Sequence, residues 1–141
     1  MAGMLLFALL FGAALWYFQV YAWYTEVTGL PTLRVQDREI AVTDYTGIDS
    51  AASGLKRRGC FGADPGAFTA FEPMDNPTPL KAPGWFACFD YVALTLDLQA
   101  GKAKAFLAVE NEKAGIDRVI AIYPDGRGFE WRQLNGQFVG N

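Results

Sequence analysis

Cys60 and Cys88 are the two cysteines of the chain, and they stand in matched surroundings, Gly59-Cys60-Phe61 and Ala87-Cys88-Phe89. In an oxidising compartment an even, minimal number of thiols points to one bridge. Closing a loop of about 29 residues would stabilise the fold by roughly 3.5 kcal/mol in the chain-entropy model. A thiol-based redox module or metallochaperone is the rival use of the pair. Against it, the spacing is not C-x-x-C, and no further thiol lies nearby in sequence to resolve an exchange.

The sequence contains no histidine. That removes Ser-His-Asp and Cys-His catalytic units, ordinary His-ligated zinc or copper, and haem held by an axial imidazole. Carboxylate chemistry, a lysine nucleophile or a hard-cation site remain. Glu110, Glu112 and Asp117, with Asn111, would offer oxygen ligands to a cation, but their spacing matches no calcium loop and reads as a solvated turn. Fifteen acidic residues allow many carboxylate pairs of the kind used in glycoside hydrolysis, and no spacing singles one out. No catalytic residue, metal ligand or cofactor is therefore assigned. The net charge of −3 argues against a nucleic-acid partner, because phosphate binding needs clustered positive charge. The one basic run, Lys56-Arg57-Arg58, reads as a solvated strand edge.

The elements that must position these residues begin with a segment that water solvates poorly. The first twenty-four residues carry no charge, and all twelve Lys and Arg and all fifteen Asp and Glu follow Tyr24. A helix of that length is roughly 36 Å long, against about 30 Å for a hydrocarbon core. The expectation is a transmembrane signal-anchor helix over 1–26 in the lipid bilayer and one domain over 27–141. The expected location is the bacterial inner membrane, single-pass, with the C-terminal domain in the periplasm. Ala8, Gly12, Leu15, Gln19 and Ala22 fall on one narrow helix face by their spacing. Small residues permit close backbone approach and a lone amide in lipid gains from a partner, so this face is a candidate contact inside the membrane.

Beyond the anchor the punctuation marks short strands and few helices. Leu33-Arg34-Val35 and Glu39-Ile40-Ala41-Val42 flank Gln36-Asp37-Arg38 as a hairpin. Thr43 to Gly54 is small and polar and reads as loop, and Leu55 to Phe61 and Ala67 to Phe71 read as extended. Glu72 to Gly84 holds four prolines, which exclude a long helix or central strand. Its residues Pro79 and Pro83, with Trp85 and Phe86 just beyond, form a candidate partner-binding loop, because aromatic residues on a preordered loop lose little entropy on binding. Asp90 is placed to cap a helix over Tyr91 to Ala100, with Gly101 closing it. Ala103 to Val109, Ile116 to Tyr123 and Phe129 to Leu134 read as strands, the last two as a terminal hairpin. The fold class expected is α+β: an N-terminal transmembrane helix followed by a small antiparallel-sheet domain with about one covering helix and a C-terminal β-hairpin.

The blocks from Asp75 to Asp90 and from Gly115 to Phe129 resemble those of an uncharacterised family of small single-span membrane proteins from alphaproteobacteria of the Rhodobacter group. The resemblance implies an inner-membrane setting and supplies no activity or catalytic residue. The function expected is that of a non-enzymatic membrane-anchored periplasmic protein, an accessory subunit or assembly factor of a membrane-protein complex. Alternatives are the thiol module using Cys60 and Cys88 or, with less support, a carboxylate-dependent hydrolase.

Overall fold

The computed structural model describes residues 2–20, 24–50 and 53–135, with the backbone alone at 2 and 15–20. Helix α1 covers Ala2–Val20 and strand β1 covers Thr25–Thr28. Six strands make one antiparallel sheet in the order β1, β4 (Thr43–Asp49), β5 (Arg58–Gly62), β8 (Arg127–Leu134), β7 (Ile116–Ile122) and β6 (Lys104–Lys113). A separate hairpin joins β2 (Thr32–Val35) to β3 (Arg38–Ala41). Its turn places Gln36 at φ 58°, in the left-handed region.

Side chains alternate across a strand, so the sheet has two distinct faces and a core on each. On one face Tyr45, Phe61, Phe106, Ile120 and Ile122 pack beneath Leu33, Val35 and Ile40 of the β2–β3 hairpin. The hairpin is fastened there by the Gln36 amide N–H donating to the Ala108 carbonyl and by the Gln36 side chain donating to Leu107 O at 3.2 Å. On the other face Ile48, Val119, Ala121 and Trp131 pack beneath Phe86, Phe89 and Leu94. Leu94 belongs to helix α2 (Tyr91–Gln99). The Asp90 side chain accepts from the backbone N–H groups of Val92 and Ala93, both at 3.1 Å, and so supplies the N-cap. Gly101 follows at φ 76°, a conformation that favours glycine at a helix end.

Among the described residues no helix is long and apolar enough to cross a membrane. This corrects the expected fold class and the expected location together. The expected anchor ran through residue 26, whereas the described helix is Ala2–Val20 and residues 25 and 26 pair in the sheet. Nineteen residues rise about 28 Å, short of a core of about 30 Å. The transmembrane segment, the single-pass inner-membrane placement and the periplasmic location inferred from it are overturned. The described fold is a sheet-rich unit of eight strands and two α-helices.

Three local expectations also change. Thr43 to Asp49, read as loop, is an interior strand; Leu55 and Lys56, read as extended, lie in a short 3-10 turn over Gly54–Lys56; and Ala67 and Phe68, also read as extended, lie in one over Pro65–Phe68.

Candidate functional site

Cys60, half-buried on β5, is bonded to exposed Cys88 just before α2, with their Cα atoms 6.4 Å apart. The bridge ties the sheet to the layer that covers its second face. That layer contains the proline-rich segment, whose prolines lack N–H groups and leave carbonyls to be satisfied from elsewhere. Two side chains from the sheet do this. Arg58 Nε donates to Leu80 O at 3.1 Å and its Nη2 to Lys81 O at 3.2 Å. Gln133 Nε2 donates to Asn76 O at 3.0 Å, while its Oε1 accepts from Thr78 N at 2.7 Å and from the Trp131 indole at 2.9 Å. Arg58 also reaches Leu55 O and Arg57 O through Nη1 and lies over the Phe89 ring at 5.9 Å. Burial pulls its pKa down to about 10, which leaves it charged at neutral pH.

Of the residues expected to form a partner-binding loop, Pro79 and Phe86 are buried, Pro83 is half-buried, and Trp85 is half-buried against Tyr24, ring centroids 5.6 Å apart. Lys56 Nζ sits 5.2 Å from the Tyr24 ring on its other contact. On α1, Ala8 is exposed, and a Cβ added at Gly12 would meet nothing within 4 Å. The side chains of Leu15 and Gln19, and Ala22 altogether, lie outside the described residues.

The most concentrated charge lies on the hairpin-covered face, beyond the edge of the aromatic core. Arg57 pairs with Asp49 at 3.4 Å and with Glu130 at 3.0 Å; Glu130 pairs with Arg118 at 3.0 Å. Arg118 pairs with Glu112 at 2.8 Å, Glu112 with Arg132 at 2.7 Å, and Arg132 with Asp49 at 3.3 Å. Three guanidinium groups and three carboxylates thus alternate in a closed, electroneutral ring. The Tyr45 hydroxyl donates to Glu130 and accepts from Arg57 Nη2 at 3.3 Å. Arg118 also donates to Arg34 O of the hairpin at 2.7 Å.

Glycine makes room for this arrangement. A Cβ at Gly59 would stand 2.7 Å from the Tyr45 hydroxyl and 2.8 Å from Glu130 Cγ. The strand can therefore carry the ring only where it has no side chain of its own.

The ring's electrostatics oppose acid–base chemistry. Burial raises the Tyr45 phenol far above its ordinary range, and Glu130 beside it adds to the effect. Burial, the largest single influence, would lower the Arg57 pKa, but Glu130, Tyr45, Asp49 and Glu112 together outweigh it and the net shift is upward. Burial alone would raise the Glu112 carboxyl, but Arg118 and Arg132 outweigh it and hold it below the usual carboxylate range. A general acid or base needs a pKa near the working pH and a free lone pair or proton. Among the described residues no buried side-chain nitrogen or oxygen lacks a hydrogen-bond partner, so the ring is a satisfied polar core.

The sequence reading missed this ring and placed part of it in solvent. Arg57 and Arg58, read as a solvated edge, are largely buried, and β5 lies between β4 and β8. The local trace was the i, i+2 pair Glu130 and Arg132, next to a strand whose Arg118 shares a face with Ile120 and Ile122. Glu112 is drawn into the ring, whereas Asp117 accepts from Asn111 N and the Asn135 side chain, each at 2.9 Å. Glu110 is exposed. Among the described residues no group of three or more His, Cys, Asp or Glu is placed to hold a metal ion.

No curated protein and no solved structure matches the chain. A family model does, over residues 27–139, a span that holds the disulfide, the ion ring and both cores, and the chain belongs to that family, the family of unknown function DUF6446.

Proposed function

We propose that this protein is a non-enzymatic accessory subunit or assembly factor that holds a protein partner through α1, with the loop at Trp85 as a second contact. One observation carries the reading. Met4, Leu5, Leu6, Phe7, Leu9, Leu10 and Phe11 are all 57–76% exposed, so apolar side chains cover α1 on every side over two turns. Contiguous apolar surface of this kind marks an interaction site, and a helix can be received in an apolar groove. The partner class is a membrane-protein complex, whose apolar surface would cover α1 along its length. From the resemblance of the 75–90 and 115–129 blocks, we infer an alphaproteobacterial source of the Rhodobacter group. The thiol-redox and hydrolase readings have no support of that weight: Cys60 and Cys88 hold each other, and the buried carboxylates are engaged by guanidinium groups.

The test is an affinity pull-down of C-terminally tagged protein at native level from detergent-solubilised membranes, beside a Leu6→Gln, Leu10→Gln variant. A defined set of co-eluting proteins, kept by the wild type and lost by the variant, is the expected result. Recovery of the wild type alone, or with lipid alone, would overturn the reading.

A further inference from the structure

Where β6 begins and β7 ends, the sheet edge, the 3-10 turn at Pro65–Phe68 and the chain that follows α2 line a half-open cavity of about 500 Å³. That is within the range of about 300–1,000 Å³ common for small-molecule sites. Its walls are aromatic. Phe68 and Phe106 have ring centroids 5.4 Å apart and Phe71 stands 6.5 Å from Phe106, so the three rings present faces and edges at several angles. Tyr123 closes the opposite side. Its hydroxyl donates to Asp97 Oδ2 at 2.6 Å, which fixes the ring and occupies that carboxylate.

The charged side chains of the lining are both cationic. Lys102 and Lys104 line the cavity, both are exposed, and no acidic residue lines it. Neither ammonium group has a carboxylate partner among the described residues. On a chain of net charge −3, two unpaired cations beside an aromatic hollow are a local reversal of sign. An apolar body with one anionic end is the complement: the rings take the body and the lysines the head group.

We propose that this cavity binds a small hydrophobic monocarboxylate, with its aryl or alkyl body against the wall made by Phe68, Phe71 and Phe106 and its carboxylate at Lys102 and Lys104. The site is remote in kind from the helix surface of α1 and stands independently of the partner reading.

The probes are 2-naphthylacetate and its neutral isostere 2-naphthylacetamide, each titrated into the full-length chain with amide chemical shifts followed by NMR. The expected result is saturable shifts at Thr69 and at residues 101–104. The acid should bind about five- to tenfold more tightly than the amide, the size expected of two exposed charge contacts. The Lys102→Glu, Lys104→Glu variant changes surface positions only, and it should abolish the acid's advantage while leaving the amide's affinity unchanged. Thr69→Trp should obstruct the cavity and remove both responses. No saturable binding, equal affinity for acid and amide, or an acid preference that survives the lysine reversal would each overturn the proposal.

Discussion

Glu130 is completely buried, and it is compatible with that burial because two guanidinium groups and a phenol face it. A buried carboxylate of this kind is a poor source of net stability, since desolvation offsets much of the Coulomb gain. Removing its charge is a different matter. Glu130→Gln would leave Arg57 and Arg118 each with one carboxylate partner and an amide N–H pointed at a cation. Breaking a buried pair typically costs about 3–5 kcal/mol, and that is the loss expected in the urea unfolding free energy. The exposed pair Arg127 and Asp125, at 2.9 Å, is the control, and Arg127→Gln, which also removes a guanidinium lying 4.2 Å over the Tyr123 ring, should cost no more than about 1 kcal/mol. If the two variants unfold alike, the ring is not a cooperative unit. The family's shared span contains all six ring residues, so the same logic applies to any member that keeps them.

At the level of elements, Arg58 shows how a strand residue can specify a loop. The segment from Glu72 to Gly84 has four prolines and little capacity to bond itself, so its course across the sheet depends on donors reaching out from β5 and β8. Arg58→Lys keeps the charge but loses the fork that spans Leu80 O and Lys81 O. Each carbonyl left unpaired costs about 1–3 kcal/mol, so a destabilisation of about 2 kcal/mol is expected. Limited proteolysis should then cut within residues 72–84, whereas an intact loop in the variant would assign its order to the disulfide alone. The same contrast explains what was legible in the sequence. The helix after Asp90, the β2–β3 hairpin and the β7–β8 hairpin are built from local signals: a cap, alternation and turn residues. Strand β4 was missed because Tyr45, Gly47 and Asp49 on one of its faces serve a glycine-floored polar ring, so no apolar alternation marks it. The ring was invisible because Asp49, Arg57, Glu112, Arg118, Glu130 and Arg132 come from four strands and the chain just before a fifth, with more than eighty residues between the ends. The disulfide was legible because two cysteines leave one pairing. The length of the apolar run suggested a bilayer-spanning helix, but run length does not set a helix boundary, and here residues 25 and 26 of the expected anchor belong to β1.

For the whole molecule, the placement of the cores decides which part of the chain is a folding unit. The buried core residues run from Leu33 to Trp131, and Tyr24, Val27 and Leu30 are the first to pack against them. The side chains described on α1, from Met4 to Phe11, are instead exposed. The stability of the sheet should therefore be indifferent to α1, while the proposed partner contact should depend on it. A chain starting at residue 24, with the Cys60–Cys88 bond intact, is expected to unfold in one cooperative transition, as single domains of this size usually do. Its unfolding free energy should lie within about 0.5 kcal/mol of the full-length value, the range of changes remote from the core. The same truncated chain should retain 2-naphthylacetate binding and lose every protein co-eluting with the full-length form. Urea unfolding followed by tryptophan fluorescence, run beside the pull-down, separates the fold's stability from the proposed partner contact. A loss of more than about 1 kcal/mol on truncation would mean that α1 packs on the sheet and that its apolar surface serves the fold, in which case a protein partner is no longer needed to account for it.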